Sequence, residues 1–400
     1  MRSIVAVTNE MDDAQEAVRE LMAQLEEKGP LGKNSCGLVF CDVEMSQGEF
    51  ITALKEALPF EIVGNTTIAT FDTQNGAQIL SAVLVVLTGD DVQFGVACTE
   101  SLTLENLRSE LEKAWSKAKT AAGEGKLLFL LPPFTDLVPA DEYVSILSGL
   151  SGDIPIIGGV PSANIADGDI LTYAGGQVFS DRAAIVLVGG NIQPVFSVQN
   201  VLSPLSEQKN TVTNAEGNII RTVGDMTFVE YLRHIGLPVD DLIAQGDLAV
   251  YVSTPLKVYM GIHDTRDKIP VARTIVRLNP EDGSGVLFGA ISENSAVSIV
   301  TMKRQDIQDS CRMAVQDIQE KIRAKGEGYT YSTLFCVSCG GRYMVMGDDK
   351  EIEGNILVEN LPAGLTLSGF YAYGEICPTI FENGRGLNRL HNESIVMCAF

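Results

Sequence analysis

Positive charge is scarce in this 400-residue chain: 29 Lys and Arg stand against 52 Asp and Glu, a formal net charge of −23. Nucleic-acid binding needs clustered Lys and Arg to neutralise phosphates, so this balance argues against it. Anionic membrane surfaces are disfavoured for the same reason. Long apolar runs are missing too, and none approaches the roughly 20 residues of a membrane-spanning helix. The opening Met1-Arg-Ser-Ile-Val-Ala-Val7 runs directly into a strand and lacks the apolar core and cleavage site of an export signal. A cytoplasmic location is therefore expected. Histidine is limited to His234, His263 and His391, too scattered for a His-rich metal cluster. Gly158-Gly159 and Gly340-Gly341 each follow a strand but extend to neither a GxGxxG nor a P-loop pattern, so they read as tight turns.

Cysteine, by contrast, is present at eight positions: 36, 41, 98, 311, 336, 339, 377 and 398. Without an export signal these should be reduced. Several lie inside apolar strands, where Cys behaves as a small hydrophobe. Cys336 and Cys339 have no second pair and no His at zinc spacing, and alternation on a strand points them to opposite faces. Core packing is the expectation for both. No metal site is expected.

The apolar pattern alternates between strand and helix periods. Residues 14–28 form a helix burying Ala17, Leu21, Met22 and Leu25, and Gly29-Pro30 ends it. Cys36–Val43 reads as a strand, Ser46–Leu58 as a helix behind a Ser cap, and Phe60–Gly64 as a strand. A hairpin at Asn75-Gly76 follows, then strands 80–87 and 93–97. The order repeats about a hundred residues later: strand 127–131, helix 140–150, strand 154–158, a Gly175-Gly176 hairpin, then strands 183–188 and 194–198. A fainter third copy occupies the end, with strands 333–338, 367–376 and 394–400. Before it lie strands at 247–252, 273–278, 285–288 and 296–301, and a long helix at 306–325. Many hairpins with helices inserted singly predict an α+β fold of largely antiparallel sheets, helices outside and sheets meeting inside. At this length two domains are expected, 1–205 and 206–400, with internal β-α-β-hairpin repeats.

The run Ser368-Gly-Phe-Tyr-Ala-Tyr-Gly-Glu-Ile-Cys-Pro378 carries the most chemistry. Read as one strand, it puts Tyr371, Tyr373, Glu375 and Cys377 on a single face. Two phenols, a carboxylate and a thiol are costly to bury without partners, which favours a pocket wall. Cys377 as a nucleophile would need a base, and His391 is the nearest histidine in sequence; Glu375 beside it would raise the thiol pKa and oppose that role. Arg342 could pair with Glu375 across neighbouring strands or hold the carboxylate of a ligand.

The same segment, with His391-Asn392 after it, resembles the C-terminal signature of FIST proteins. Leu334-Phe-Cys-Val-Ser-Cys-Gly-Gly-Arg342 and Glu353 resemble the preceding block of that family. Val63-Gly-Asn-Thr-Thr67, Ile157-Gly-Gly159 and Ser180-Asp-Arg-Ala-Ala184 are similar to its N-terminal half. The resemblance implies a stand-alone sensory protein that binds a small ligand and signals through a separate partner protein. It also implies a haem-binding gas sensor as an alternative, with His391 as the axial candidate; no cofactor is otherwise expected. The residues and the resemblance together point to an amino acid or similar zwitterion held by Arg342, Tyr371, Tyr373, Glu375, Cys377, His391 and Asn392. No catalytic residue is expected; an enzyme using Cys377 is the other alternative.

Overall fold

The computed structural model describes residues 1–45, 47–135, 138–152, 154–163, 169–205, 209–245, 256–259, 271–326, 328–380 and 386–400. The expected Ser46 cap, the strand at 247–252 and His263 lie outside the described residues. The first repeat runs β1 (Arg2–Thr8), α1 (Ala14–Glu27), β2 (Asn34–Cys41), α2 (Gln47–Ala57), β3 (Ile62–Thr66), β4 (Thr70–Asp72), β5 (Gly76–Gln78) and β6 (Ala82–Gly89). The second runs β7 (Val92–Cys98), α3 (Leu107–Ala122), β8 (Gly125–Leu131), α4 (Ala140–Ser151), β9 (Ile156–Gly159), β10 (Thr172–Ala174), β11 (Gln177–Phe179) and β12 (Ala184–Gly190). The third opens with β13 (Val195–Gln199).

An inserted unit follows: β14 (Ser203–Pro204), β15 (Asn210–Glu216), β16 (Ile219–Val223), β17 (Met226–Thr227), α5 (Phe228–His234), α6 (Val239–Gln245), β18 (Leu256–Tyr259), β19 (Val271–Arg273), β20 (Ile275–Leu278), β21 (Gly285–Leu287) and β22 (Ala296–Thr301). The third repeat then resumes with α7 (Arg304–Lys325), β23 (Thr333–Cys339), α8 (Gly340–Val345), α9 (Ile352–Glu359), β24 (Thr366–Ala372), β25 (Glu375–Ile380), β26 (Gly386–His391) and β27 (Ile395–Ala399). The boundary expected at 205 falls where the chain enters the inserted unit.

Local chemistry explains the elements. Asp13 caps α1 by accepting from the Gln15 and Glu16 N–H groups, satisfying donors the helix leaves orphaned. That helix buries Ala17, Val18, Leu21 and Leu25, with Met22 only half covered. The middle strands read as unbroken apolar runs, such as Ala82-Val-Leu-Val-Val-Leu87, because helices cover one face and the other sheets cover the second.

The sheets are α+β in kind and cyclic in arrangement. Their strand orders are β1-β6-β2-β3-β10-β11, β7-β12-β8-β9-β25-β26 and β13-β27-β23-β24-β4-β5. Each sheet thus takes four strands from one repeat and the hairpin of another. Within each, one pair is parallel, β2 with β3, β8 with β9 and β23 with β24, joined through a helix; the other pairs are antiparallel. The inserted unit carries its own sheet and core around Val212, Phe228, Tyr231 and Ile299.

The three sheets enclose one shared core: Leu38, Phe40, Val85, Phe129, Val186, Phe335, Phe370 and Phe400 are all buried there. Each sheet packs its other face on helices, with separate clusters under α1 and α2, under α3 and α4, and under α7 and α9. At about 1.5–3 kcal/mol for each fully buried large apolar side chain, the central core is the main attraction between the three sheets. Glycine marks the repeat: Val39, Leu130 and Cys336 lie opposite Gly64, Gly158 and Gly369 in the parallel pairs. A Cβ at those glycines would sit 1.7, 1.9 and 1.8 Å from the facing carbonyl oxygen, so no larger residue fits.

The reading of 367–376 as one strand is corrected. The chain leaves β24 at Ala372, turns through Tyr373-Gly374 and enters β25 in a different sheet. The reason lies in the repeat, because each copy passes its hairpin to another sheet at this point.

Candidate ligand site at the polar end of the central core

The seven residues expected to share a pocket separate into three places. Tyr371 faces the helix layer, tilted against Phe71 at 4.7 Å and edge-on to Tyr343 at 5.1 Å between ring centres. Its hydroxyl donates to Glu353 Oε2 at 2.9 Å. Arg342, expected opposite Glu375, instead forms a buried ion pair with Glu353 at 2.5 Å. Its remaining donors go to Ser338 Oγ at 3.2 Å, Ser310 Oγ at 2.9 Å and the Ile307 carbonyl at 3.3 Å. Ser338 also donates to Glu353 Oε2 at 2.9 Å. A buried pair satisfied on every side is structural, and its guanidinium is fully committed. The expectation that Arg342 grips a ligand carboxylate is corrected on that ground.

Cys377 belongs to the central core, where burial pushes its thiol pKa up. His391 is buried on β26, and its Nε2 donates to the Cys377 carbonyl at 3.1 Å. Burial pushes the imidazole down to about 3, so it is neutral. Its Nε2 proton goes to a backbone carbonyl and not to the Cys377 thiol.

Tyr373, Glu375 and Asn392 belong to the third place, beside residues the sequence reading did not select: the Tyr373 ring lies over Gly340 and the Glu393 carboxyl over Gly341. Glu375 is fully buried; its Oε2 accepts from the Ser394 N–H at 3.2 Å and its Oε1 has no hydrogen-bond partner. Glu393 is equally buried, accepts from the Thr274 hydroxyl through Oε1, and leaves Oε2 unpartnered. Glu393 also has φ +56°, a left-handed conformation uncommon outside glycine, and such strain concentrates at functional positions. Gly341 lies directly beneath it: a Cβ there would lie 2.5 Å from Glu393 Oε2, so any larger residue would displace this carboxyl.

Burial first, then the neighbouring Glu393 charge, holds the Glu375 carboxyl well above its ordinary range; the Ser394 N–H and the Cys339 thiol pull the other way. Burial raises Glu393 to about 7, against the pull of Thr274 and Arg342. Burial and both carboxyls raise the Cys339 thiol, although backbone N–H groups of Glu393 and Gly341 favour its charged form. A thiol so placed is protonated and a poor nucleophile.

The inserted unit reaches the acidic pair through Thr274, and an aromatic cluster adjoins the same stretch of chain. Tyr373, Phe134 and Phe288 form a triangle with ring centres 5.6, 5.9 and 6.1 Å apart. The Tyr373 hydroxyl donates to the Ala163 carbonyl. Asn392 Oδ1 accepts from the Thr274 N–H at 3.4 Å, so this side chain fastens the insert. Arg273 secures the same edge through Asp141 at 2.8 Å and the Leu390 carbonyl at 3.2 Å. Among the described residues no cluster of three or more His, Cys, Asp or Glu is arranged to hold a metal. An open surface groove at the end of α3, lined by Gln93, Glu124, Lys126 and Asn191, gathers no buried polar groups and is a weaker candidate.

The three-fold repeat explains why the acidic centre is single. Strand register makes Thr70, Thr172 and Glu375 equivalent, opposite Phe370, Asn65 and Gly159. Thr70 closes its needs with Ser81 at 2.7 Å, and only the third position carries a carboxyl. Glu393 was present in the sequence beside His391-Asn392; the signal that could have found it is an acidic residue next to Ser394 at the mouth of a wholly apolar strand.

Fold and site thus define an α+β protein of three cyclically linked sheets with one buried acidic centre. The chain belongs to the FIST family: residues 35–226 match the FIST N domain and 228–378 the FIST C domain. FIST domains are sensory domains, so membership supports a sensory role. Two uncharacterized proteins of Mycobacterium tuberculosis, from strains CDC 1551 / Oshkosh and ATCC 25618 / H37Rv, are each 24% identical over 267 residues. The matched region is 64% of this chain and 64% of each relative's length. A cyanuric acid hydrolase from A. caulinodans aligns over 99% of this chain and 98% of its own, at 10% identity and a TM-score of 0.35. That likeness carries no functional argument. No helix among the described residues is long and apolar enough to cross a membrane.

Proposed function

We propose that this protein senses a small ammonium-bearing molecule at the Glu375–Glu393 centre, in the cytoplasm, and reports occupancy through a separate partner protein. The observation that carries the reading is the pair of fully buried carboxyls, each with an unpartnered oxygen. An unsatisfied buried acceptor costs about 1–3 kcal/mol, more when charged, unless an occupant supplies the donor. An ammonium offers three donors and the compensating charge. The zwitterion expected from the sequence keeps its ammonium partner here, but Arg342 is committed to Glu353, so the proposal is narrowed to the ammonium end. Tyr373, Phe134 and Phe288 would supply the flat wall against the ligand's carbon chain. Protonated, deeply buried Cys339 and core-bound Cys377 favour a binding role over an enzymatic one.

The test is calorimetric titration of the full chain and of Glu375→Gln with glycine, ethanolamine, methylammonium and acetate. Gln copies the protonated carboxyl, so the variant should fold. Ammonium-bearing probes should bind the wild type and lose at least about tenfold in the variant, the loss of roughly one charged hydrogen bond. Binding of acetate alone, or equal binding to both proteins, would sink the reading.

A further inference from the structure

Beside the strand partner of Glu375 lie two further orphaned groups, from the N-terminal half. Strand β10 pairs with β3 so that Thr172 lies opposite Asn65, just as Glu375 lies opposite Gly159. Asn65 Nδ2 donates across to the Gly159 carbonyl at 3.3 Å, which carries its amide from the first sheet to the strand partner of Glu375. Asn65 and Thr172 are both fully buried, and Asn65 Oδ1 and Thr172 Oγ1 have no hydrogen-bond partner. Gly159 links the two groups: its strand pairs with that of Glu375, which feels Glu393 and Cys339, and its carbonyl accepts from Asn65.

We infer that Asn65 and Thr172 complete the ligand site across the two FIST domains, and that its occupant is a donor-rich cation with a neutral far end. The inference rests on the ligand-site reading above and deepens it. The four orphaned atoms, Asn65 Oδ1, Thr172 Oγ1, Glu375 Oε1 and Glu393 Oε2, are all acceptors once a bound cation holds the carboxyls ionised, and the hydroxyl can then also donate. Left empty, they would together cost a sizeable share of the about 5–15 kcal/mol net stability of a typical protein. The buried guanidiniums nearby are occupied: Arg342 by Glu353, and Arg273 by Asp141 and three carbonyls. A ligand carboxylate would therefore meet acceptors and acid. An amine with a hydroxyl or amide N–H a few bonds away matches the set; an amino acid does not. Because the contacts come from both halves, occupancy would couple the first and second sheets directly.

The experiment uses Thr172→Val, Thr172→Ser and Glu375→Gln in the full chain, with ethanolamine and glycine as probes. Valine removes an orphaned hydroxyl at nearly constant shape, so urea unfolding should show Thr172→Val at least as stable as wild type. Ethanolamine binding should nevertheless weaken about tenfold, return in Thr172→Ser, and exceed glycine binding in the wild type. If Thr172→Val binds ethanolamine like wild type while Glu375→Gln does not, the composite site is wrong and the acidic site stands. Tighter binding of glycine than of ethanolamine would overturn the neutral far end. If neither probe binds the wild type and Thr172→Val is simply more stable, the orphaned atoms hold only water, and both readings fall.

Discussion

Glu393 and His391 sit two residues apart in the chain, are both buried, and respond to pH in opposite directions. Glu393 ionises near 7 in the folded chain and near 4.5 when exposed. Between those values the folded protein holds a proton that the unfolded chain has released, so stability falls as pH rises through the window. His391 is depressed from 6.5 to about 3, so the folded chain holds fewer protons and stability falls as pH drops from 6.5 toward 3. The two trends oppose each other from 4.5 to 6.5, which hides them in the wild type alone. Comparison with Glu393→Gln removes this carboxyl together with the charge it places on Glu375. Urea unfolding at about pH 5 and about pH 8 should show the wild type losing on the order of 3 kcal/mol more than the variant. Parallel pH curves would mean that Glu393 titrates normally. At this scale the sequence disclosed residue types but not partners. Glu375 was visible as costly to bury, whereas its neighbour Glu393 and the capture of Arg342 by Glu353 depend on a turn and a helix that alternation cannot place.

Strands show where periodicity ends as a guide. Alternation located β2, β6, β8 and β12 within a few residues, because apolar runs bounded by Gly and Asp are unambiguous. It failed at Tyr373-Gly374, since a chain that stays extended while changing sheets keeps the composition of one strand. Period-2 facing then cannot be carried from Tyr371 to Glu375. The glycines opposite the parallel strands carry the sharper signal. Gly369, at φ +153°, admits the Cys336 carbonyl where a Cβ would be. Gly369→Ala should lower stability by more than about 4 kcal/mol, because backbone rather than a flexible side chain must move. Gly123→Ala serves as a contrast: its φ is also positive, at +70°, but nothing lies within 4 Å of the added carbon. Urea midpoints for the two variants would separate crowding from backbone strain, and equal midpoints would refute the crowding argument.

For the whole molecule, the hairpin exchange matters more than the division into halves. The hairpin of β4 and β5 completes the sheet of β23 and β24, and that of β25 and β26 completes the sheet of β8 and β9. A fragment ending at residue 205 would leave one hairpin unpaired and one sheet open-edged, a template for aggregation. Each half expressed alone should be insoluble or lack cooperative unfolding, while the two expressed together should co-purify as one folded complex. A monomeric, cooperatively unfolding fragment 1–205 would show that the exchange is dispensable. The sequence revealed the first two repeats and a trace of the third, because hairpin and strand order survive divergence. The cyclic pairing was not legible, since nothing in a strand's composition names its neighbour in another repeat.

The same exchange has a symmetric counterpart. Three units that each lend a hairpin to another form the topology of a domain-swapped homotrimer, written on one polypeptide. A lone repeat could close that ring only by meeting two copies of itself, and its three centres would then be identical. A single chain is under no such constraint. On the single polypeptide two of the equivalent positions are threonine and the third is a carboxylate, an asymmetry that three identical copies could not have.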